Sequence, residues 1–383
     1  MQLQQFDTGH FLSDHWQKTP LLIRNPWTAW ANPLAPDDLA GLACEEEVES
    51  RLVLNTADTY KLEHGPFPEE RFTELGERPW TLLVQSVDRF VPEVAALLAP
   101  FRFLPNWRID DVMVSYATDG GGVGPHFDQY DVFLVQGLGR RGWRIGPTCD
   151  ANTALLPHDD LRLLPGFEAR DEWVLEPGDI LYVPPGVAHE GTAVGHDCMT
   201  YSIGFRAPSA SELLAGWSEH LFDHLEDDPR YSDPGLQEQA NPGEIAAEAI
   251  ARLHAMATAG MLDAAAFARW FGRYNSSPKY PEIDRAPEVP IAVDEVRRLA
   301  ARNLLLRRSP GSRFSFIREV GDAVLLFADG ASFDCHAETA RLARELCARD
   351  CIHVDPGLAG SDAAMTLVAE LLNQGSVQVG EPA

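Results

Sequence analysis

Between Arg108 and Arg206 the chain passes through a series of short apolar or alternating runs: WRIDDVMVSYAT, YDVFLVQG, GWRIGP, EWVLEPGDILYVPPG and CMTYSIGFRA. Their apolar cores are about five to eight residues long and are punctuated by glycine, proline or aspartate, the signature of strands joined by tight turns. Runs this short bury their apolar side chains only by pairing with one another, so the stretch predicts an antiparallel sandwich or barrel. Upstream, residues 37–50 (DDLAGLACEEEVES), after Pro36, read as a helix, RLVLNT at 51–56 as a strand, and 80–101 as a strand leading into an amphipathic helix.

After Pro208 the apolar period changes. SELLAGWSEHLFDHLE at 211–226 repeats apolar residues every three or four positions behind a serine, an amphipathic helix with its cap. Residues 244–274 are helical in the same way, interrupted at Gly260. Four prolines within residues 276–290 mark a linker. Helix-like DEVRRLAARN, strand-like RFSFIREV and DAVLLFADG, and helix-like ETARLARELCARD and AAMTLVAELLNQG then suggest a winged-helix-like module. The expected division is 1–207, 208–278 and 279–383, with any chemistry inside 108–206.

Charge narrows the partners. Residues 1–250 hold 41 acidic and 16 basic side chains, a net of −25, while residues 251–383 hold 17 and 15. A field of that sign repels phosphate backbones and draws basic partners, so direct nucleic-acid binding is not expected. No run is long and apolar enough for a membrane helix, and the first residues lack the basic start and apolar core of a signal peptide. The expected compartment is the cytoplasm. Six sparse cysteines fit reduced, packed thiols.

The chemistry concentrates in two stretches, SYATDGGGVGPHFDQYDVFLVQGLGRRGWRIG (115–146) and EPGDILYVPPGVAHEG (176–191). His126 and Asp128 stand two apart, so on a strand they project from one face. His189 follows a Gly178-Asp179 turn, a strand and a Pro184-Pro185 corner. Two imidazoles and a carboxylate on one side of a metal leave positions open for a bidentate co-substrate and O₂, the pattern of non-haem Fe(II) oxygenases. The glycines 120–122 and 124 lack the Lys-Ser or Lys-Thr of a phosphate loop and instead allow a tight turn beside the metal. Arg141, Trp143 and Ile145 share one strand face, and Arg140 and Arg144 the other. Gln129, Tyr130 and Asp131 are placed to shape a substrate groove, with Asp131 either meeting a cationic side chain or pairing with a neighbouring arginine. Cys335, His336, Cys347, Cys351 and His353 match no zinc spacing, and Cys347 and Cys351, four apart on one helical face, read as packed thiols.

These motifs, with HWQKTPLLIRN, YKLEHGPF at 60–67, YSIGFRAP and RYSDPG at 230–235, resemble the JmjC-type ribosomal oxygenases of the cupin-4 group, and within it the bacterial arginyl hydroxylases of large-subunit ribosomal protein sixteen. The resemblance implies a mainly-β double-stranded β-helix (cupin/JmjC) domain, an α-helical region that forms a homodimer through 208–278, and a C-terminal winged-helix-like α+β module. It implies Fe(II) held by His126, Asp128 and His189, with 2-oxoglutarate and O₂ as co-substrates. The distal carboxylate of 2-oxoglutarate would pair with Arg141, or failing that Arg140, with Ser115 a second contact. The implied reaction is hydroxylation of an arginine β-carbon on a basic ribosomal protein, a target that the acidity of residues 1–250 suits independently. Two other classes remain open: a metal-binding cupin scaffold without activity, and a small-molecule dioxygenase on the same barrel.

Overall fold

The computed structural model describes residues 3–56, 59–76, 78–225 and 227–380. Two compact units meet in sequence at Ala207 and Pro208, where the apolar period changes from that of strands to that of helices.

The first unit is built on one antiparallel sheet of nine strands: β1 (Leu21–Ile23), β2 (Ser50–Thr56), β3 (Thr59–His64), β4 (Trp80–Val84), β5 (Ile109–Ala117), β6 (Val132–Thr148), β7 (Asp171–Leu175), β8 (Ile180–Val183) and β9 (Val187–Phe205). Their order is β1-β8-β6-β9-β5-β4-β2-β3, with β7 also on β6. The two longest strands, β6 and β9, run beside each other nearly throughout. Along its other edge, β6 pairs with β8 over Val132–Val135 and with β7 over Arg141–Ile145.

Between those two segments the β6–β9 register shifts twice, from Gln136 to Leu138 and from Leu138 to Arg140. Gly139 sits there with φ +57°, and a Cβ on it would lie 2.7 Å from the His196 and Asp197 carbonyl oxygens. Only glycine suits such a bulge. The bulge also reverses parity. Before it, Phe133 and Val135 face an aromatic core with Phe11, Phe101, Tyr182, Tyr201 and Phe205, while Val132 and Leu134 face the opposite side. Beyond it, Trp143 and Ile145 join Val132 and Leu134 in a second cluster with Leu181 and Val183. Phe133 anchors the aromatic core, its ring centroid 4.6 Å from Phe101 and 5.0 Å from Tyr182. Each such fully buried side chain stabilises the unit by about 1.5–3 kcal/mol relative to exposure.

Two local expectations are corrected. Residues 80–101 do not form a strand and one amphipathic helix. After β4 come three short turns of helix, Val87–Arg89, Pro92–Ala95 and Ala96–Phe101, because Pro92 and Pro100 interrupt the hydrogen-bond ladder. The helix expected over 37–50 runs from Pro36 only to Leu42, short of the acidic run EEEVE.

The second unit contains the helices Ala210–Asp223, Ala247–Thr258, Ala264–Ser276, Val293–Ala300, Ala337–Ala348 and Asp362–Asn373. Ser209 and Glu212 cap the first reciprocally, and the expected break falls at Gly260, whose φ is +78°. Six strands, β10 (Leu305–Arg308), β11 (Phe314–Arg318), β12 (Val324–Ala328), β13 (Ala331–Cys335), β14 (Cys351–His353) and β15 (Val377–Val379), form the sheets β14-β10-β15 and β11-β12-β13. Sequence patterning signalled only β11 and β12, whose five residues alternate or run apolar throughout; β10, β14 and β15 are three or four residues long, and β13 is interrupted by polar residues. The helix Ala264–Ser276 lies against β12, where Gly272 leaves room for the Phe327 ring, and Arg269 pairs with Asp334 of β13 at 2.6 Å. Cys347 and Cys351 do not share a helical face: the helix ends at Ala348 and Cys351 opens β14. All six cysteines are free thiols.

Candidate metal centre

His126 and Asp128 precede β6 in an extended segment outside the regular strands, a departure from the expected strand placement. His189 lies near the start of β9. The backbones of the two histidines are bonded reciprocally, His126 N–H to the His189 carbonyl at 3.0 Å and His189 N–H to the His126 carbonyl at 2.8 Å. That couplet brings the imidazoles within 4.3 Å, centroid to centroid. The glycine run makes the approach possible. A Cβ at Gly122 would lie 2.5 Å from the Gly191 carbonyl oxygen, and Gly124 turns with φ +82°.

Each ring has one nitrogen committed to the backbone. His126 Nδ1 donates to the Gly124 carbonyl and His189 Nδ1 to the Val187 carbonyl, both at 2.9 Å. That bond fixes the tautomer and leaves Nε2 with a lone pair. The two Nε2 atoms face Asp128 Oδ2 at 3.9 and 3.7 Å. Burial, then the neighbouring His126, pushes the His189 imidazole down to about 4, so it is a neutral donor at physiological pH. Among the described residues, this is the one group of three or more His, Cys, Asp or Glu whose ligand atoms could hold a metal ion. The Cys335–His353 set does not assemble.

Arg141 lies on the same face of β6 as Trp143 and Ile145, all buried, while Arg140 and Arg144 are exposed. Ile145 is the partner of His189 across the β6–β9 ladder, and Arg141 is four residues away, about 13 Å along a strand. The span suits a short dicarboxylate plus an arginine side chain. Two buried donors there, Arg141 Nη2 and Trp143 Nε1, have no hydrogen-bond partner. No carboxylate among the described residues pairs with Arg141. A buried guanidinium without a counter-charge is costly unless an anion completes it, so the residues present fit a metal with an anionic co-substrate. Ser115, on β5, is buried with its Oγ 3.5 Å from the Thr200 carbonyl.

The three expected groove residues divide. Gln129 and Tyr130 are exposed beside Asp128. Desolvation and the Asp128 and Asp111 carboxylates push the Tyr130 phenol well above its usual value. Asp131 instead is fully buried, and its carboxylate accepts from Tyr182 Oη at 2.6 Å and from Arg108 Nη2 and Gln17 Nε2 at 3.0 Å. Of the two alternatives, the structure shows the pairing with a neighbouring arginine, Arg108, and the carboxylate has no exposed surface. Sequence reasoning missed this hub because its partners come from positions 17, 108 and 182. It also missed Cys198, Gln136 and Thr200, read only as part of strands; which residues oppose Arg141 depends on the bulge at Gly139.

Sheet and triad together define a class, the JmjC-type metal-binding β-barrels. A JmjC-domain model matches residues 96–213 and a ROXA-like winged-helix model residues 259–378. The chain is 42% identical over 325 residues to the ribosomal protein uL16 3-hydroxylase of Escherichia coli K12, spanning 85% of this chain and 84% of that one. Among solved structures, that of E. coli ycfD aligns over 99% of this chain and 100% of its own, with TM-score 0.89 and 37% identity. A second, the E. coli ribosomal oxygenase YcfD with cobalt and 2-oxoglutarate, aligns over 98% and 99% with TM-score 0.85 and 36% identity. The chain belongs to the JmjC ribosomal oxygenase family.

Proposed function

We propose that this protein is an Fe(II)- and 2-oxoglutarate-dependent dioxygenase that hydroxylates ribosomal protein uL16 on an arginine β-carbon. The observation that carries the reading is the pairing, on one interior face of the sheet, of a His-Asp-His donor set with a buried arginine that lacks a counter-ion. A relative 42% identical is a uL16 3-hydroxylase. When bound, Fe(II) couples the decarboxylation of 2-oxoglutarate by O₂ to insertion of one oxygen atom into a substrate C–H bond.

The chain's own residues orient and exclude. His126, Asp128 and His189 would hold the ion, their tautomers set by the Gly124 and Val187 carbonyls. Arg141 would clamp the distal carboxylate of 2-oxoglutarate in two-point fashion, with Ser115 on the same interior face. Trp143, Ile145, Leu134 and Val183 wall the pocket against water. Gln129 and Tyr130 stand at the mouth, where the substrate arginine would enter. The acidity of residues 1–250 steers a basic protein there. The winged-helix unit, close to neutral, fits a structural or protein-binding role.

Exposed apolar side chains between 208 and 278, among them Leu214, Phe222, Ile245 and Leu262, support association of two copies through that region. A helix long and apolar enough to cross a membrane does not occur among the described residues, and a ribosomal protein target supports a cytoplasmic location. The test is succinate release with Fe(II) and 2-oxoglutarate, with and without a uL16 peptide, together with a +16 Da shift on a peptide arginine. Turnover in neither condition would make the protein a scaffold; peptide-independent oxidation of a metabolite would make it a small-molecule enzyme.

A further inference from the structure

Arg141 is a buried cation whose one protein hydrogen-bond acceptor is a thiol. Its Nε donates to Cys198 Sγ at 3.5 Å, and Nη2 is enclosed without a partner. Cys198 lies on β9 with no exposed surface. It does not act alone, because the Gln136 amide also donates to its sulfur, at 3.6 Å. The orientation of that amide is fixed at both ends. Gln136 Oε1 accepts from Thr200 Oγ1 at 3.2 Å, and Gln136 Nε2 donates to the Leu138 carbonyl at 2.7 Å. The Thr200 carbonyl in turn lies 3.5 Å from Ser115 Oγ. A buried polar chain thus runs from Ser115 through Thr200, Gln136 and Cys198 to the back of the guanidinium.

We propose that Cys198 is a positioning residue that holds Arg141 by its Nε while leaving its charge uncompensated, so that the outward fork of the guanidinium is reserved for a dicarboxylate co-substrate. Sulfur is a weak, uncharged acceptor. It is sufficient to fix a planar group in a tightly packed wall, and it does not neutralise the cation as a carboxylate would. An aspartate at this position would pair with Arg141 internally, as Asp131 does with Arg108. Alanine would leave Nε without an acceptor and let the fork rotate.

The inference rests on the proposed binding of 2-oxoglutarate, and its test keeps the two apart. Binding of 2-oxoglutarate to the Mn(II)-loaded protein is measured by calorimetry, beside KM and kcat with Fe(II). Wild-type protein that does not bind 2-oxoglutarate refutes the functional reading itself. Where wild type binds, C198A and C198V are expected to raise Kd and KM for 2-oxoglutarate about tenfold, with kcat and Mn(II) affinity within twofold. C198S, which restores an acceptor, is expected to stay within about threefold of wild type, and C198D to abolish binding of 2-oxoglutarate while retaining Mn(II). The proposal is overturned if C198V, which fills the space without accepting a hydrogen bond, binds 2-oxoglutarate like wild type. It is equally overturned if C198S loses kcat, metal and co-substrate affinity together, the behaviour of a purely structural residue.

Discussion

Two buried charges, one in each unit, are treated in opposite ways. Asp329 in the second unit is surrounded by donors: Ser376 Oγ at 2.7 Å, the Arg313 backbone N–H at 2.8 Å and the Arg285 guanidinium at 3.7 Å. Arg141 in the first unit has a thiol and an empty-handed Nη2. Asp131 follows the pattern of Asp329 although it lies three residues from Asp128 in the metal centre. Satisfied charges tie segments together; under the proposed function, the unsatisfied one is completed by the co-substrate. The difference separates partnered from unpartnered charge more sharply than burial does, since the side chains of all three are buried.

The contrast can be broken by substitution. Asp128→Ala removes the single carboxylate of the donor set, and hydroxylation of a uL16 peptide should fall by at least about a thousandfold in k(cat)/K(M), with the circular dichroism spectrum and melting temperature unchanged. Arg141→Met keeps the volume and removes the cation. It should raise KM for 2-oxoglutarate by about a hundredfold, the scale of a charge-assisted two-point contact, while a calorimetric melt shows equal or greater stability because a buried uncompensated charge is gone. Asp131→Ala should do the reverse, lowering the stability of the first unit by about 3–5 kcal/mol in a denaturant titration through the stranded Arg108.

Asp329→Asn sharpens the comparison further. Burial raises the Asp329 carboxyl above its usual 3.8, so the folded state binds its proton more tightly than the unfolded chain does. The stability of the second unit should therefore decline as pH rises from about 4 through the raised folded value. The asparagine variant should flatten that slope in melts recorded across the window, with activity unchanged. The smallest effect is electrostatic: raising salt should increase KM for a basic peptide about threefold and leave kcat alone.

Much of this was legible in the chain and some was not. The sequence around His126, Asp128 and His189 carried the triad because its signal is local: two residues on one extended segment, and a third after a proline corner. The antiparallel strands of the first unit were legible from their punctuation, and the helices of the second unit from their period. The polar hub at Asp131 was hidden because its partners, Gln17, Arg108 and Tyr182, come from segments far apart in the chain. The chain ending at Cys198 depends on which residues lie opposite each other across β6 and β9, and the bulge at Gly139 shifts that register by an amount that alternation alone does not reveal. The strands β10, β14 and β15 were hidden because three or four residues are too few to show a period, and β13 because polar residues interrupt it.

The reciprocal backbone bonds between His126 and His189 have a consequence for the life of the protein. Jaws cast in one piece with the frame do not need the workpiece to close them, so the chain should reach its final shape without iron. Chelation should leave a folded, idle protein that recovers on adding the ion, and in an iron-poor cell such protein would accumulate as a reserve, its output following supply of the metal more closely than its own synthesis.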